Sequence, residues 1–211
     1  MKIIALSCSP SRGRNSDTML DNFIEGVRTV PGIEVEKIYL SDVPMDYYSF
    51  ENSKGVEEEE TEFARLVCKM KSVQGLVIAT PTYNFSVPAH LKNFIDRLRF
   101  IALDFSQKNS LGQPVGRLHH LSTYFLVSGG TPTWAQKMLF FAFPPFWLRG
   151  VFLYFGANVM GATYTGDIKS FETGSVKNKC IKAGRRYARG LIAGKRNRLL
   201  ERIFWRPPQV R

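Results

Sequence analysis

Cysteine is scarce in this sequence, and the spacing of the three cysteines argues against both a disulfide-stabilised protein and a zinc-binding protein. Cys8, Cys68 and Cys180 are far apart and odd in number. They form neither a disulfide framework nor the paired spacing of a zinc site. We therefore expect no bound metal and a reducing, cytoplasmic location.

Long apolar runs are also missing. The most apolar stretch, residues 138–156, is interrupted by Pro144, Pro145 and Arg149. A spanning helix needs about 20 consecutive apolar residues, so we expect no transmembrane segment. The first residues, "MKIIALSCS", lack the long apolar core of an export signal.

An excess of positive charge is present, but only at one end of the chain. The net charge is +11, and residues 177–211 hold twelve Lys or Arg and one acidic residue. Residues 1–176 therefore balance to zero. This distribution argues against a basic nucleic-acid-binding domain, and we expect no nucleic-acid partner.

Short apolar runs alternate with helix-like stretches along the chain. The strand-like runs are residues 2–7, 33–40, 75–80, 120–128 and 157–165. The helix-like stretches are residues 16–28, 57–73, 88–102, 133–148 (broken by Pro144 and Pro145) and 175–193. This alternation predicts an α/β domain of the doubly wound type, in which a five-stranded parallel sheet is covered by helices on both faces. Ligands bind such sheets at the carboxyl ends of the strands.

The segment after the first strand, "SCSPSRGRNSDT" (7–18), is rich in hydroxyl groups. It contains neither GxxxxGK[ST] nor GxGxxG, which excludes the usual nucleotide loops. Hydroxyls at a helix start predict a cradle for one phosphate. The alternative is an ordinary polar turn in which Ser16 caps the helix.

Within this segment, "SPSRGRNS" (9–16) resembles the phosphate loop of flavodoxin-like NAD(P)H-dependent FMN reductases. By this resemblance, the residues that hold the FMN phosphate are Ser9, Ser11, Asn15 and Ser16, with Arg12 nearby. Ser11 stands where the family often has arginine, which leaves open whether Arg12 or Arg14 supplies the positive charge.

A second stretch, "PTYNFSVPAHLKNFIDRL" (81–98), resembles the same family more closely. The family pattern Pro-x-Tyr-x-x-x-x-Pro, followed by Leu-Lys-Asn and Asp, is matched by Pro81, Tyr83, Pro88, Leu91, Lys92, Asn93 and Asp96. The resemblance implies that a loop runs along the isoalloxazine ring and includes Pro81, Thr82, Tyr83, Asn84 and Phe85. The two prolines would hold this loop rigid before flavin binds. The alternative is a structural turn whose aromatic residues lie in the core.

A third stretch, "LVSGGTPTW" (126–134), resembles the family's Ser-x-Gly-Gly loop. It adds Ser128, Gly129 and Gly130 to the expected FMN contacts, because glycine lets the backbone approach a planar ligand closely. The resemblance covers about residues 1–165. It implies the flavodoxin-like strand order 2-1-3-4-5. We expect one FMN-binding domain of residues 1–193, and the charge and apolar spacing of residues 194–211 predict a basic amphipathic tail.

The resemblance implies an FMN-dependent NAD(P)H oxidoreductase that passes hydride through FMN to a small-molecule acceptor such as a flavin or quinone. No catalytic side chain is assigned, and a homo-oligomer (dimer or tetramer) is expected. The first alternative is a flavodoxin-like electron carrier without hydride chemistry, which the neutral core and basic tail disfavour. The second is a flavin-free binding protein.

Two segments allow more than one interpretation. Residues 138–156 hold eight aromatic residues, which predict either core and oligomer contacts or an apolar surface for a quinone-like acceptor or a lipid. Residues 195–211 place Leu199, Leu200, Ile203 and Phe204 on one helical stripe among arginines. Such a segment can lie on an anionic membrane, pack on a partner subunit, or remain a frayed tail.

Overall fold

A parallel sheet between two layers of helices forms the protein. The computed structural model describes residues 1–49, 61–132, 134–135, 144–166 and 174–196. In chain order the elements are β1 (Lys2–Ser7), α1 (Asn15–Arg28), β2 (Glu34–Tyr39), a 3₁₀ turn (Leu40–Asp42), α2 (Thr61–Ser72), β3 (Gly75–Pro81), α3 (Ala89–Ala102), β4 (Leu103–Lys108), β5 (Pro114–Gly116), β6 (Ser122–Ser128), α4 (Pro144–Tyr154), β7 (Asn158–Thr165) and α5 (Ser175–Ile192).

The five-stranded sheet has the order β2-β1-β3-β6-β7, and every neighbouring pair is parallel. This is the 2-1-3-4-5 order of the flavodoxin-like fold, so the predicted fold class is confirmed. The strand order reverses beside β1, and the carboxyl ends of β1 and β3 are neighbours at that point. The loops after these two strands are therefore brought together.

Each face of the sheet carries its own core. Ile4 and Leu6 of β1 pack with α2, α3 and α4, whereas Ile3 and Ala5 pack with α1 and α5. Apolar side chains on both faces explain why the inner strands are continuous apolar runs rather than alternating ones. The predicted two-sided covering by helices is confirmed.

Helices α1 and α5 approach each other closely because glycine lies at their contact. A Cβ atom at Gly184 would stand 2.1 Å from the carbonyl oxygen of Phe23, and one at Gly26 would stand 2.1 Å from that of Ile181. This contact fixes α1, whose first residues follow the hydroxyl-rich loop. It also leaves the opposite side of α5 facing solvent.

Two features differ from the sequence prediction. Strands β4 and β5 form a separate antiparallel hairpin, which was not predicted because β4 buries only its first residue fully and so lacks a hydrophobic period. Pro144 and Pro145 begin α4, which ends at Tyr154 rather than at the predicted residue 148. A helix that starts at these two prolines is consistent with the predicted break in the stretch 133–148. Proline is tolerated in the first helical turn, where its missing N–H has no acceptor.

Several expectations lie outside the described residues: the start of the predicted helix 57–73 (residues 57–60), residues 138–143 of the aromatic segment, and residues 197–211 of the basic tail. Among the helices that the structure does describe, none is long and apolar enough to cross a membrane.

Candidate functional site

A polar pocket of about 420 Å³ lies at the carboxyl ends of β1, β3 and β6. Cavities that hold small ligands are usually about 300–1,000 Å³. The lining residues are Ser9, Ser11, Arg14, Asn15, Ser16, Pro81, Thr82, Tyr83, Ser128, Gly129 and Gly130. All three loops singled out in the sequence therefore meet in one cavity.

Ten of the thirteen predicted site residues line this pocket, and Arg12, Asn84 and Phe85 do not. Arg14 lines it although it stood only as the alternative to Arg12. The structure thus brings together the hydroxyl groups of the first loop, the start of the second loop and the glycines of the third.

The first turn of α1 presents unsatisfied donors to the pocket. Arg14 is the N-cap residue, and no side chain caps this helix. The interpretation of Ser16 as a cap is therefore wrong, and the hydroxyl of Ser16 is buried without a hydrogen-bond partner. Uncapped N–H groups and a buried free hydroxyl at a helix N-terminus form an arrangement that binds anions.

The two arginines of the first loop have different surroundings. The guanidinium of Arg12 pairs with the Asp42 carboxylate and lies 4.2 Å from the ring centroid of Tyr39. Arg14 makes no ion pair with a carboxylate in the described part of the chain and lines the pocket. Of the two arginines, only Arg14 therefore lines the pocket.

A buried carboxylate gives the first loop its shape. Asp17 accepts hydrogen bonds from the Ser7 hydroxyl (2.9 Å) and the Gly13 N–H (2.8 Å), and it pairs with Lys37 at 2.8 Å. Burial alone would raise the pKa of Asp17, but the bonds from Lys37, Gly13 and Ser7 lower it below the ordinary value. Asp17 therefore stays ionised and ties the loop to β1 and β2.

The second loop is a tight turn with two residues in an unusual backbone conformation. Tyr83 and Ser86 exchange backbone hydrogen bonds of 2.9 and 2.8 Å. Between them, Asn84 has φ 48° and Phe85 has φ 61°, the left-handed region that bulky residues rarely occupy. Tyr83 is 46% exposed and Phe85 65% exposed, so the interpretation of a turn with buried aromatic residues is wrong.

The third loop is held close to the second. The Thr82 N–H donates to the Ser128 carbonyl at 2.7 Å, and the Gly129 N–H donates to the Thr165 carbonyl at 2.9 Å. A Cβ atom at Gly129 would stand 2.5 Å from the hydroxyl oxygen of Tyr164, so a larger residue here would require the Tyr164 side chain to move. The Thr82 hydroxyl is buried without a hydrogen-bond partner.

Strain at Phe85 leads to a prediction about stability. We expect Phe85→Asn to raise the free energy of unfolding by about 0.5–1 kcal/mol, because asparagine tolerates the left-handed region and an exposed aromatic ring loses little burial. Urea unfolding would measure the change. Tyr83→Asn is the matched control: Tyr83 has no positive φ, and an equal gain in that variant would contradict the explanation by strain.

Sequence reasoning missed the residues that support the site from behind. Besides Asp17 and Lys37, these include Asn93, whose side chain accepts from the Tyr48 N–H (2.8 Å) and donates to the Asp46 carbonyl (3.0 Å). Asn93 thus ties the loop after β2 to α3. Its place in the Leu-Lys-Asn motif was visible in the sequence, but its partners lie more than 40 positions away.

Comparisons with known proteins agree with this architecture. Residues 1–142 match the family model described as NADPH-dependent FMN reductase. The FMN-dependent NADH:quinone oxidoreductase of Metamycoplasma arthritidis is 33% identical over 102 residues, which is 47% of this chain and 50% of that protein. The FMN-dependent NADH:quinone oxidoreductase 1 of Mesoplasma florum is 28% identical over 175 residues, which is 79% of this chain and 84% of that protein.

Solved structures share the fold. The FMN-dependent NADH-azoreductase of Bacillus anthracis, determined in complex with FMN, superposes with a TM-score of 0.67 at 18% identity and covers 89% of this chain and 100% of that one. The chain spans about half the length of the first curated relatives that it matches. Since the family model matches well over half of its residues, the chain belongs to the NADPH-dependent FMN reductase family.

Proposed function

We propose that this protein is an FMN-dependent NAD(P)H oxidoreductase that reduces a small-molecule acceptor such as a quinone. The observation that carries the proposal is the meeting of three flavin-type loops in one pocket at the carboxyl edge of the sheet. Relatives described as FMN-dependent NADH:quinone oxidoreductases support the same activity.

The residues present fit FMN. A phosphate at the start of α1 would find the Ser16 hydroxyl, which lacks a partner, together with uncapped N–H groups and Arg14. Two of the pocket hydroxyls, those of Ser16 and Thr82, are buried and unpaired, and buried polar groups normally have a partner. A polar ligand in the pocket would give both hydroxyls a hydrogen-bond partner.

When bound, FMN supplies the redox chemistry by accepting hydride from a nicotinamide and passing reducing equivalents to the acceptor. The chain supplies binding and orientation. Ser9 is already ordered, since its hydroxyl donates to the Ser11 carbonyl at 2.7 Å, and the second loop is closed by the bridge between Tyr83 and Ser86. A cradle that exists before the ligand arrives lowers the ordering cost of binding.

The proposal also covers the oligomeric state, the bounds of the FMN domain and the role of the tail. We propose a homo-oligomer, because aromatic side chains in the second and third loops are exposed, including Tyr83, Phe85 and Trp134. Residues 1–193 form the proposed FMN domain, and residues 194–211 the proposed tail that contacts anionic membranes. Gel filtration with light scattering would measure the oligomeric state.

The experiment that tests the proposal is an anaerobic absorption spectrum of the protein reconstituted with FMN, before and after addition of NADPH or NADH. We expect the flavin peaks to remain with the protein through desalting and to bleach on addition of a nicotinamide. Reoxidation by a soluble quinone would complete the cycle. Bound flavin that neither nicotinamide bleaches would reject the reductase and leave the electron carrier.

A further inference from the structure

A basic groove of about 510 Å³ lies on α5, and nothing in the proposed reaction uses it. Its lining residues are Lys182, Arg185, Arg186, Arg189, Gly190, Ala193 and Lys195. Five of these seven residues are cationic and none is acidic. We name this surface the α5 groove.

The packing of α5 leaves the cations of the α5 groove without a carboxylate partner in the described part of the chain. Its apolar face, with Tyr187 and Leu191, is buried against α1 and the sheet, so the basic stripe faces solvent. Among the described residues, no carboxylate pairs with Lys182, Arg186, Arg189 or Lys195. Arg185 donates through Nε to the Thr29 hydroxyl at 3.1 Å, an uncharged partner.

The α5 groove runs along α5 from its middle to its end, and that end lies at the edge of the sheet where the strands begin, opposite the flavin-type pocket. The Asn158 side chain donates to the Lys195 carbonyl at 2.8 Å and to the Ser122 hydroxyl at 3.0 Å, and Asn158 and Ser122 are the first residues of β7 and β6. The other end of α5 is near the carboxyl end of β7, where Lys179 donates to the Tyr164 carbonyl at 3.0 Å. Strands of seven or eight residues separate the two edges by roughly 25 Å.

We propose that the α5 groove binds the phosphate headgroups of an anionic lipid bilayer. A shallow surface with several unpaired cations suits a partner that presents many phosphates, such as a bilayer, better than it suits a single buried ligand. Beyond the groove the sequence of residues 197–211 mixes arginines with Leu199, Ile203 and Trp205. Apolar and aromatic residues among cations suit the headgroup region of a membrane better than a nucleic-acid backbone.

The position of the α5 groove gives the proposal a geometric consequence. A protein that rests on a bilayer by the second half of α5 keeps the pocket, which lies at the opposite edge of the sheet, away from the membrane surface. The pocket would then exchange nicotinamide and acceptor with solution while the chain remains on the membrane.

The test is vesicle co-sedimentation of the full chain. The vesicles consist of phosphatidylcholine alone or of phosphatidylcholine with about 30% phosphatidylglycerol. The groove variant carries Lys182→Gln, Arg186→Gln and Arg189→Gln. The control carries Lys71→Gln, Lys108→Gln and Arg149→Gln, which remove the same charge from exposed positions elsewhere. Thermal unfolding establishes that both variants fold.

We expect the full chain to bind only the anionic vesicles, and the groove variant to bind them about 100-fold more weakly. The control should stay within about threefold of the unchanged protein. Equal losses in the two variants would overturn the proposal, because net charge alone would then explain binding. A tighter, groove-dependent complex with a 20-base-pair (about two helical turns) DNA duplex would also overturn it in favour of nucleic acid.

Discussion

Replacing Asp17 by alanine is expected to lower the free energy of unfolding by about 3 kcal/mol, with FMN binding impaired as well. The side chain is almost fully buried and holds Ser7, Gly13 and Lys37. Removal of one partner from a buried ion pair typically costs about 3–5 kcal/mol. The lower end applies because Lys37 retains Asp21, which lies 2.6 Å away.

Asp21→Ala is the matched control, because it removes the other carboxylate of the same lysine. The Asp21 side chain is 58% exposed, and exposed ion pairs contribute about 0–1 kcal/mol. Urea unfolding of the two variants side by side measures both changes. If the two substitutions cost the same, the buried carboxylate is not what holds the first loop.

The same carboxylate predicts a pH dependence. Its pKa in the folded protein is lowered, so its stabilising contribution is complete above the unfolded pKa of about 3.9 and is lost as the pH falls through the folded pKa. The stability difference between the unchanged protein and Asp17→Ala should therefore be constant at neutral pH and shrink below about pH 4. A difference that persists undiminished in acid would exclude ionised Asp17 as its source.

The sheet was predictable because burial on both faces leaves a plain signature in the sequence. Runs such as residues 75–79 are apolar throughout, and few folds other than a covered parallel sheet accommodate such runs in alternation with helices. The hairpin of β4 and β5 has no such signature, since β4 is mostly exposed and is defined by its partner. Hydrophobic periodicity therefore could not predict this hairpin.

The pocket was predictable to the level of loops but not of every side chain. Proline and glycine positions marked where the chain turns at the strand ends, and these loops do meet. Which side chains enter the cavity depends on contacts distant in sequence. Arg12 pairs with Asp42, which lies 30 positions further along the chain, and so does not line the pocket. Phe85 has a left-handed backbone conformation, which the sequence pattern did not predict.

The choice between the two arginines gives a sharp test of the site. We expect Arg14→Gln to weaken FMN binding by about 10- to 100-fold, because a hydrogen bond to a charged group contributes about 1.5–3 kcal/mol. Arg12→Gln should change the dissociation constant by less than about threefold, since the guanidinium of Arg12 is held by Asp42 and Tyr39 and exposed pairs contribute little.

Fluorescence titration of FMN into the two variants measures the difference, and titration of riboflavin, which lacks the phosphate, supplies the internal control. If Arg14 acts on the phosphate, its substitution should leave riboflavin affinity unchanged while FMN affinity falls. A loss for both ligands would mean that Arg14 shapes the loop instead. A larger loss in Arg12→Gln than in Arg14→Gln would place the phosphate on the other side of the loop and reject the assignment of the charge to Arg14.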